Sequence, residues 1–428
     1  MNSTPPPARA SSHIRPGEIS GRRSGVRARL VGLSVAVALL GTGCAQASIG
    51  SPSPVAAASS SALTSPQPVS SPNPESARPA ASGYLGPLPR AKFADARAAG
   101  MQAALDAAIR AGAPDVIAAV ITEEGAWSGA AGIDGPDGRL ATPLDEFAIA
   151  SLTKTLTAAL IMRLAEKGTI DLDAQLAAYM GGFKVDTNGA TVRQILMMRG
   201  GLADHGDDAP DRIIADTSRA WTWPDRIAGY LPPVAAPGGY LYSSPSYELL
   251  ALAAEQATGT SYGKALRTEI LDPVGADRIV DQEAGRVTPQ PWAVPINEHL
   301  GRFTAADIGA GGAISCLSSA SFGTGAGSVA SDAPSLAQWL WHLFAGDILD
   351  VDTLDRMVEA GLQGWAFGLG SAPYSEAGAI SNSGSKTGYG SQWVYFPSSR
   401  AIVVIFVNDQ DFIVEPTVGQ LLAAAVAP

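Results

Sequence analysis

The run SLTK, Ser151 to Lys154, carries the pattern S-x-x-K. On a helix, side chains three apart share a face, so Ser151 and Lys154 would point the same way. A serine hydroxyl is a weak nucleophile until a neighbouring group takes its proton, and a lysine beside it can do that or bias the local field. The pattern also arises by chance in many helices, as an exposed serine and a solvated lysine. Its setting here is better than chance provides: apolar FAIA precedes it and a long apolar run follows, burying the surroundings.

A second stretch, SNSGSKTGYGSQWVYFP (Ser381 to Pro397), contains Lys386-Thr387-Gly388 and looks like a phosphate-binding loop. A P-loop needs G-x-x-x-x-G-K-[ST] between a strand and a helix. This stretch has Gly-Ser-Lys-Thr and runs on into QWVYFPSSRAIVVIFV, which reads as a hairpin, so no helix N-terminus receives a phosphate. No nucleotide or other cofactor is expected. The four histidines (13, 205, 299, 342) show no ligand spacing, so no metal is expected either. His342, within WLWHLF, reads as packing, and His205 is a lesser candidate for a cleft mouth. Cys316 reads as a small core or loop residue, and Trp221, Trp223 and Trp365 as packing before cleft lining.

The elements that must position these groups follow from periodicity. FADARAAGMQAALDAAIRAG has helical spacing, DVIAAVITEEG and WSGAAGIDG read as two strands, and the segment from Ser151 is a strong helix stopping at Gly168. Helical pieces fill the middle (ATVRQILMM, PSYELLALAAEQATG, SLAQWLWHLFAG), and the end returns to strands and a last helix, VEPTVGQLLAAAVA. Strands at both ends and helices between predict an α/β chain of the α+β type. An antiparallel sheet is built from the N- and C-terminal segments, flanked by helices, with a mostly helical lobe inserted and a cleft between them.

Taken in order, these segments resemble the serine hydrolase family of class C β-lactamases, D-Ala-D-Ala carboxypeptidases and related esterases. The resemblance runs over about 90–428, through FAIASLTKTLTAALIMRLAEKGTIDLDAQLAAYM, TVRQILMMRGGLADH, PGGYLYSSPSYELLALAAEQATGTSYGKAL, ILDPVGA and GTGAGSVASDAPSLAQWLWHLF. It implies Ser151 as nucleophile, Lys154 as its helix partner, and Tyr242 as the motif tyrosine that shares the base role and protonates the leaving group. A phenol with its ordinary pKa near 10 is a poor base at neutral pH, but a nearby ammonium favours the phenolate. Two departures stand out. The Asn of the family's Tyr-x-Asn motif is Ser244, which reaches less far. Counting back from Gly388-Tyr389-Gly390 and Phe396-Pro397 puts the family's last motif at Asn382-Ser383-Gly384. The motif's cation, which attracts a substrate carboxylate, is then the neutral Asn382, and Lys386 is expected as a solvated loop lysine. The resemblance also implies an oxyanion hole from the backbone N–H groups of Ser151 and Ser385.

The 428 residues are 46% hydrophobic and 16% charged, with a formal net charge of −11. Six arginines and one glutamate precede Cys44, so the remainder carries −16, a balance that repels phosphate backbones and argues against nucleic-acid binding. Residues 1–43 read as an export signal. Arg22, Arg23, Arg27 and Arg29 precede the short apolar run Leu30 to Leu40, then GTGCAQ. This resembles a bacterial lipoprotein signal with Cys44 as the lipidated residue, although Leu40 lies one place too far upstream. Ordinary cleavage near Ala45 to Ala47 would give a secreted protein instead. Residues 44–89, rich in Ser, Pro and Ala, read as a disordered tether, and 90–428 as the hydrolase domain.

The expectation is thus an exported, lipid-anchored or secreted serine hydrolase acting through an acyl-Ser151 intermediate on an ester, amide or β-lactam-like substrate, small or peptidoglycan-like. The departures lean away from an efficient β-lactamase. A D-Ala-D-Ala carboxypeptidase and a non-catalytic envelope binding protein are the alternatives.

Overall fold

The computed structural model of the protein describes residues 84–428 apart from 134–137, 207, 217, 283–316, 363, 372–377, 387 and 410. Cys44, Cys316, His13, His299 and the signal region lie outside the described residues. In chain order the first half forms α1 (Asp95–Arg110), β1 (Asp115–Thr122), β2 (Gly125–Gly132), β3 (Phe147–Ala148) and α2 (Thr153–Glu166). The lobe helices follow: α3 (Val192–Leu196), α4 (Ala209–Ala215), α5 (Trp223–Ile227), α6 (Ser244–Thr258) and α7 (Tyr262–Leu266). Then come β4 (Val280–Asp281), α8 (Leu317–Phe322), β5 (Val329–Ser331), α9 (Ala333–Ala345) and α10 (Val351–Leu362). The chain closes with β6 (Gly370–Ser371), β7 (Ile380–Lys386), β8 (Tyr389–Phe396), β9 (Ala401–Val407) and α11 (Glu415–Ala425).

The main sheet has six strands in the order β2-β1-β9-β8-β7-β6, all antiparallel, so the first strands of the fold lie beside the last. Every residue of β1, β8 and β9 is buried. The period of two explains why. Ile117, Ala119 and Ile121 of β1 join Ile402, Val404 and Phe406 of β9 in the large core under α2, α6 and α9. Val116, Ala118 and Val120 join Val403, Ile405 and Val407 in a second core under α1 and α11. Strands buried on both faces read as continuous apolar runs rather than alternating ones. A second, three-stranded sheet, β3-β5-β4, went unread in the sequence because two of its strands are two residues long.

The folded body starts earlier than the tether boundary at 89 predicts. Leu85 is buried and donates its N–H to Phe344 O at 3.3 Å, and Tyr84 Oη donates to Asp355 Oδ1 at 2.7 Å. YLGPL has apolar surface to bury, which the Ser/Pro/Ala segment before it lacks.

Candidate active site

Ser151 sits in a 3₁₀ turn, Ala150–Leu152, that leads directly into α2. Ala150 adopts φ +49°, a left-handed conformation that a side chain resists by roughly 1–2 kcal/mol. The surroundings hold it there. Ile149 N donates to Val329 O at 3.0 Å, Ser391 Oγ donates to Ile149 O at 2.9 Å, and Val329 N donates to Thr153 Oγ1 at 3.2 Å. The turn is thereby fastened to β5 and β8. Gly384 of β7 lies against it: a Cβ there would come within 2.6 Å of Ile149 O and 3.0 Å of Ser151 N.

Lys154 follows one helical turn later and is 1% exposed. Its ammonium donates to Ser151 Oγ at 3.0 Å and to Ala326 O at 2.9 Å. Ser151 Oγ is also 2.9 Å from Tyr242 Oη, and the Lys154 ammonium stands 5.1 Å from the centre of the Tyr242 ring. Tyr242 is fixed from behind by the edge of Trp365, and its segment by Leu241 N donating to Met198 O at 2.7 Å. Burial pushes the phenol up, but the Lys154 ammonium and the hydrogen bonds to Lys154 and Ser151 outweigh it, against a small opposing effect of Asp204. The phenol is held below its ordinary value. With Lys154 as an ammonium, the acceptor within hydrogen-bond reach of Ser151 Oγ is the phenolate form of Tyr242, which that ammonium favours.

A cavity of about 140 Å³ opens beside Ser151 and Lys154, without Tyr242 in its lining. Ser151 and Lys154 line it, β7 contributes Ser385 and Lys386, and the helical side contributes His205 and Ser244. Ser244, at the start of α6, donates its N–H to Asp204 Oδ1 at 2.8 Å. Ser383 and Ser385 occupy exposed alternate positions of β7, and Ser383 does not reach the cavity. Among the described residues, no strand pairs with the outer edge of β7 beyond Ser381, so the backbone at Ser385 faces the cleft on an edge. Asn382 is not in the cavity. It is 5% exposed, and its Nδ2 donates to Ser151 O and Thr155 Oγ1, both at 3.1 Å. It braces the turn at Ser151 from below.

Lys386 departs from expectation. It closes β7 instead of sitting in a solvated loop, is half-buried, and donates to Gly327 O at 3.2 Å and Ser319 O at 3.4 Å in the cavity wall. The period of two made this readable: Lys386 is two residues past Gly384 and so shares its face. A second missed feature is Glu248, 1% exposed on α6, with His205 Nε2 2.7 Å from its Oε1 and Tyr230 Oη donating to its Oε2 at 2.7 Å. The signal was an acid in the apolar run YELLALAA. Of the tryptophans, Trp221 packs edge-on against Phe322, and Trp223 donates to Glu255 Oε2 at 2.7 Å. His342 bonds Asp347 on the surface at 2.7 Å, away from the cavity. Among the described residues, no group of three or more His, Cys, Asp or Glu is placed to hold a metal.

The Beta-lactamase family model matches residues 71–427. The chain belongs to the Beta-lactamase family. Penicillin-binding protein 4* of Bacillus subtilis (strain 168) is 30% identical over 135 residues, 30% of this chain and 29% of that protein. The D-alanyl-D-alanine-carboxypeptidase/endopeptidase AmpH of Escherichia coli (strain K12) is 30% identical over 182 residues, 39% of this chain and 45% of that protein. The chain thus spans less than half the length of these curated relatives. Solved structures share the fold over a greater span. A D-stereospecific amidohydrolase from Streptomyces sp. superposes with a TM-score of 0.60 at 22% identity, covering 77% of this chain and 98% of that one. A D-amino acid amidase from Ochrobactrum anthropi SV3, complexed with D-phenylalanine, gives 0.63 at 21% identity over the same shares of the two chains. Family membership places the protein among the serine hydrolases of the penicillin-binding and β-lactamase fold.

Proposed function

We propose that Ser151 is the nucleophile of an acyl-transfer hydrolase, with Lys154 and Tyr242 sharing its proton. The observation that carries this is the triangle in which Ser151 Oγ lies 3.0 Å from Lys154 Nζ and 2.9 Å from Tyr242 Oη. The hydroxyl proton passes to this pair as Oγ attacks the substrate's acyl carbon. The carbonyl oxygen becomes an oxyanion facing the N–H groups of Ser151 and Ser385, each such donor contributing ~2.7–4 kcal/mol. Tyr242 returns the proton to the leaving amine or alcohol, leaving an acyl-Ser151 ester. Water, giving its proton to the same pair, then releases the acid and restores the serine.

We infer an ester or amide substrate over a β-lactam. The amide of Asn382 is spent on Ser151 O and Thr155 Oγ1, so β7 offers no charged anchor at that position. The fold likeness to a D-amino acid amidase is consistent with amide chemistry. A D-Ala-D-Ala carboxypeptidase would use the same steps. A non-catalytic binding protein is favoured only by the exchanges at Ser244 and Asn382. We further propose export, with lipid attachment at Cys44 and the acidic domain held outside the membrane. Among the described residues no helix is long and apolar enough to cross one.

The test is labelling by a fluorophosphonate probe and by a fluorescent penicillin, with hydrolysis of a short-chain aryl ester, in the native chain and Ser151→Ala. Ser151-dependent fluorophosphonate labelling and ester turnover with weak penicillin labelling is expected. Equal labelling and turnover in both chains would remove Ser151 from the mechanism, and their absence in both would leave the binding protein.

A further inference from the structure

The His205–Glu248 pair belongs to none of the motifs that define the nucleophile, yet both residues line the same cavity as Ser151. Its construction is specific. Glu248 is buried on α6 and takes a hydrogen bond on each oxygen, Tyr230 Oη on Oε2 and His205 Nε2 on Oε1, both at 2.7 Å. Phe322 of α8 lies against the imidazole with ring centres 4.7 Å apart. With Nε2 committed to the carboxylate, Nδ1 is the remaining ring nitrogen. It bonds no described residue, and the imidazole, 16% exposed, lines the cavity. Glu248, its oxygens occupied, is the one acid among the described residues lining that cavity; Lys154 and Lys386 are its other charged groups.

We propose that His205 is a specificity-determining residue, presenting Nδ1–H from the helical side of the cavity to a carboxylate carried by the acyl part of the substrate. This rests on the reading of Ser151 as nucleophile only in placing the acyl part over the cavity. The neutral ring, with its proton on Nε2 toward Glu248, offers Nδ1 as an acceptor, and the imidazolium offers it as a charged donor. Selection for an anionic substrate is therefore present at low pH and lost as the ring deprotonates. The groups facing the ring are Glu248 on α6, Tyr230 after α5, the adjacent Asp204, Arg212 on α4, and Lys154 and Lys386 on the far walls. Burial pushes the imidazole down; Glu248, helped by Asp204 and opposed by Arg212, outweighs it and holds the ring above its ordinary 6.5. The change in selection falls above the pH at which a free imidazole titrates.

The test uses the Ser151→Ala chain and calorimetric binding of two probes, the mono-4-nitroanilide of succinic acid and the neutral 4-nitroanilide of butyric acid. Between about pH 5.5 and 9, the preference for the succinic probe should fall about 10-fold or more, the worth of a charge-assisted hydrogen bond. Adding His205→Gln should leave a smaller preference that does not change with pH. Adding Glu248→Gln instead should move the fall to lower pH. An unchanging preference in the parent, or the same fall in the His205→Gln chain, overturns the subsite. Release of 4-nitroaniline by the Ser151→Ala chain overturns the nucleophile, and the binding ratios still decide the subsite.

Discussion

Tyr242 stands between two opposed effects, a buried setting that disfavours phenolate and an ammonium that favours it, and the ammonium prevails. Tyr242→Phe keeps the ring against Trp365 and removes only the proton path, so ester turnover should fall by ~10²–10⁴ with an unchanged melting temperature. Lys154→Ala should cost at least as much. Lys386→Ala should cost less and act through KM, because its ammonium touches the carbonyls of Gly327 and Ser319 and not Ser151. A second titrating residue bears on stability. Asp115 and Asn408 exchange backbone and side-chain hydrogen bonds across β1 and β9, at 3.1 and 3.0 Å. Burial pushes the Asp115 carboxyl up to about 8. The folded chain then holds a proton the unfolded chain releases near pH 4, so this group's stabilisation is lost as pH rises from about 4 to 8. Asp115→Asn should flatten that fall, narrowing the melting-temperature gap between acid and alkaline buffers by a few degrees in calorimetry.

At the scale of elements, the site is a seam between the strained turn before α2 and the edge of β7. Gly384 permits the approach, since any side chain would strike Ile149 O, Ser151 N and Ser391 Oγ. Gly384→Ala should displace the turn by a fraction of an ångström and lower kcat/KM about 100-fold, more than its effect on stability implies, read by kinetics beside thermal melting. Much of this seam was legible. The S-x-x-K spacing predicted a shared helical face, and the count back from Gly390 placed Gly384 in the register that meets Ser151. What escaped was direction. Asn382 could be placed in β7 from sequence, but not that its amide would turn inward to brace α2. Lys386 was lost by ending the strand too early. Glu248 was hidden because its partners, His205 and Tyr230, come from separate loops whose meeting depends on tertiary packing.

At the scale of the whole molecule, charge bears on the proposed anchor. On the proposed anchoring, the residues beyond Cys44, with a net charge of −16, would be repelled by anionic lipid. On the proposed lipidation, Cys44→Ser should move the protein from the membrane fraction to the soluble fraction without changing ester turnover, checked by fractionation and assay. The antiparallel sheet, its flanking helices and the inserted lobe were readable because the long helices show one dominant period and the central strands read as unbroken apolar runs. Of the two-residue strands, β3 was visible as the apolar strand end FAIA, whereas β4, β6 and the start of the folded body were not, because they are too short to show a pattern.

The pairing of β1 with β9 sets Val116 opposite Val407. Central hydrogen bonds of the main sheet therefore close a loop spanning most of the domain, and a chain emerging N-terminus first holds no partner for the inner edge of β1 until its last strand appears. Loop closure of that length costs only a few kcal/mol, but it delays the committed fold. On the proposed export this timing would be useful: the polypeptide would stay threadable during secretion, and the site around Ser151 would assemble only after the last strand has crossed.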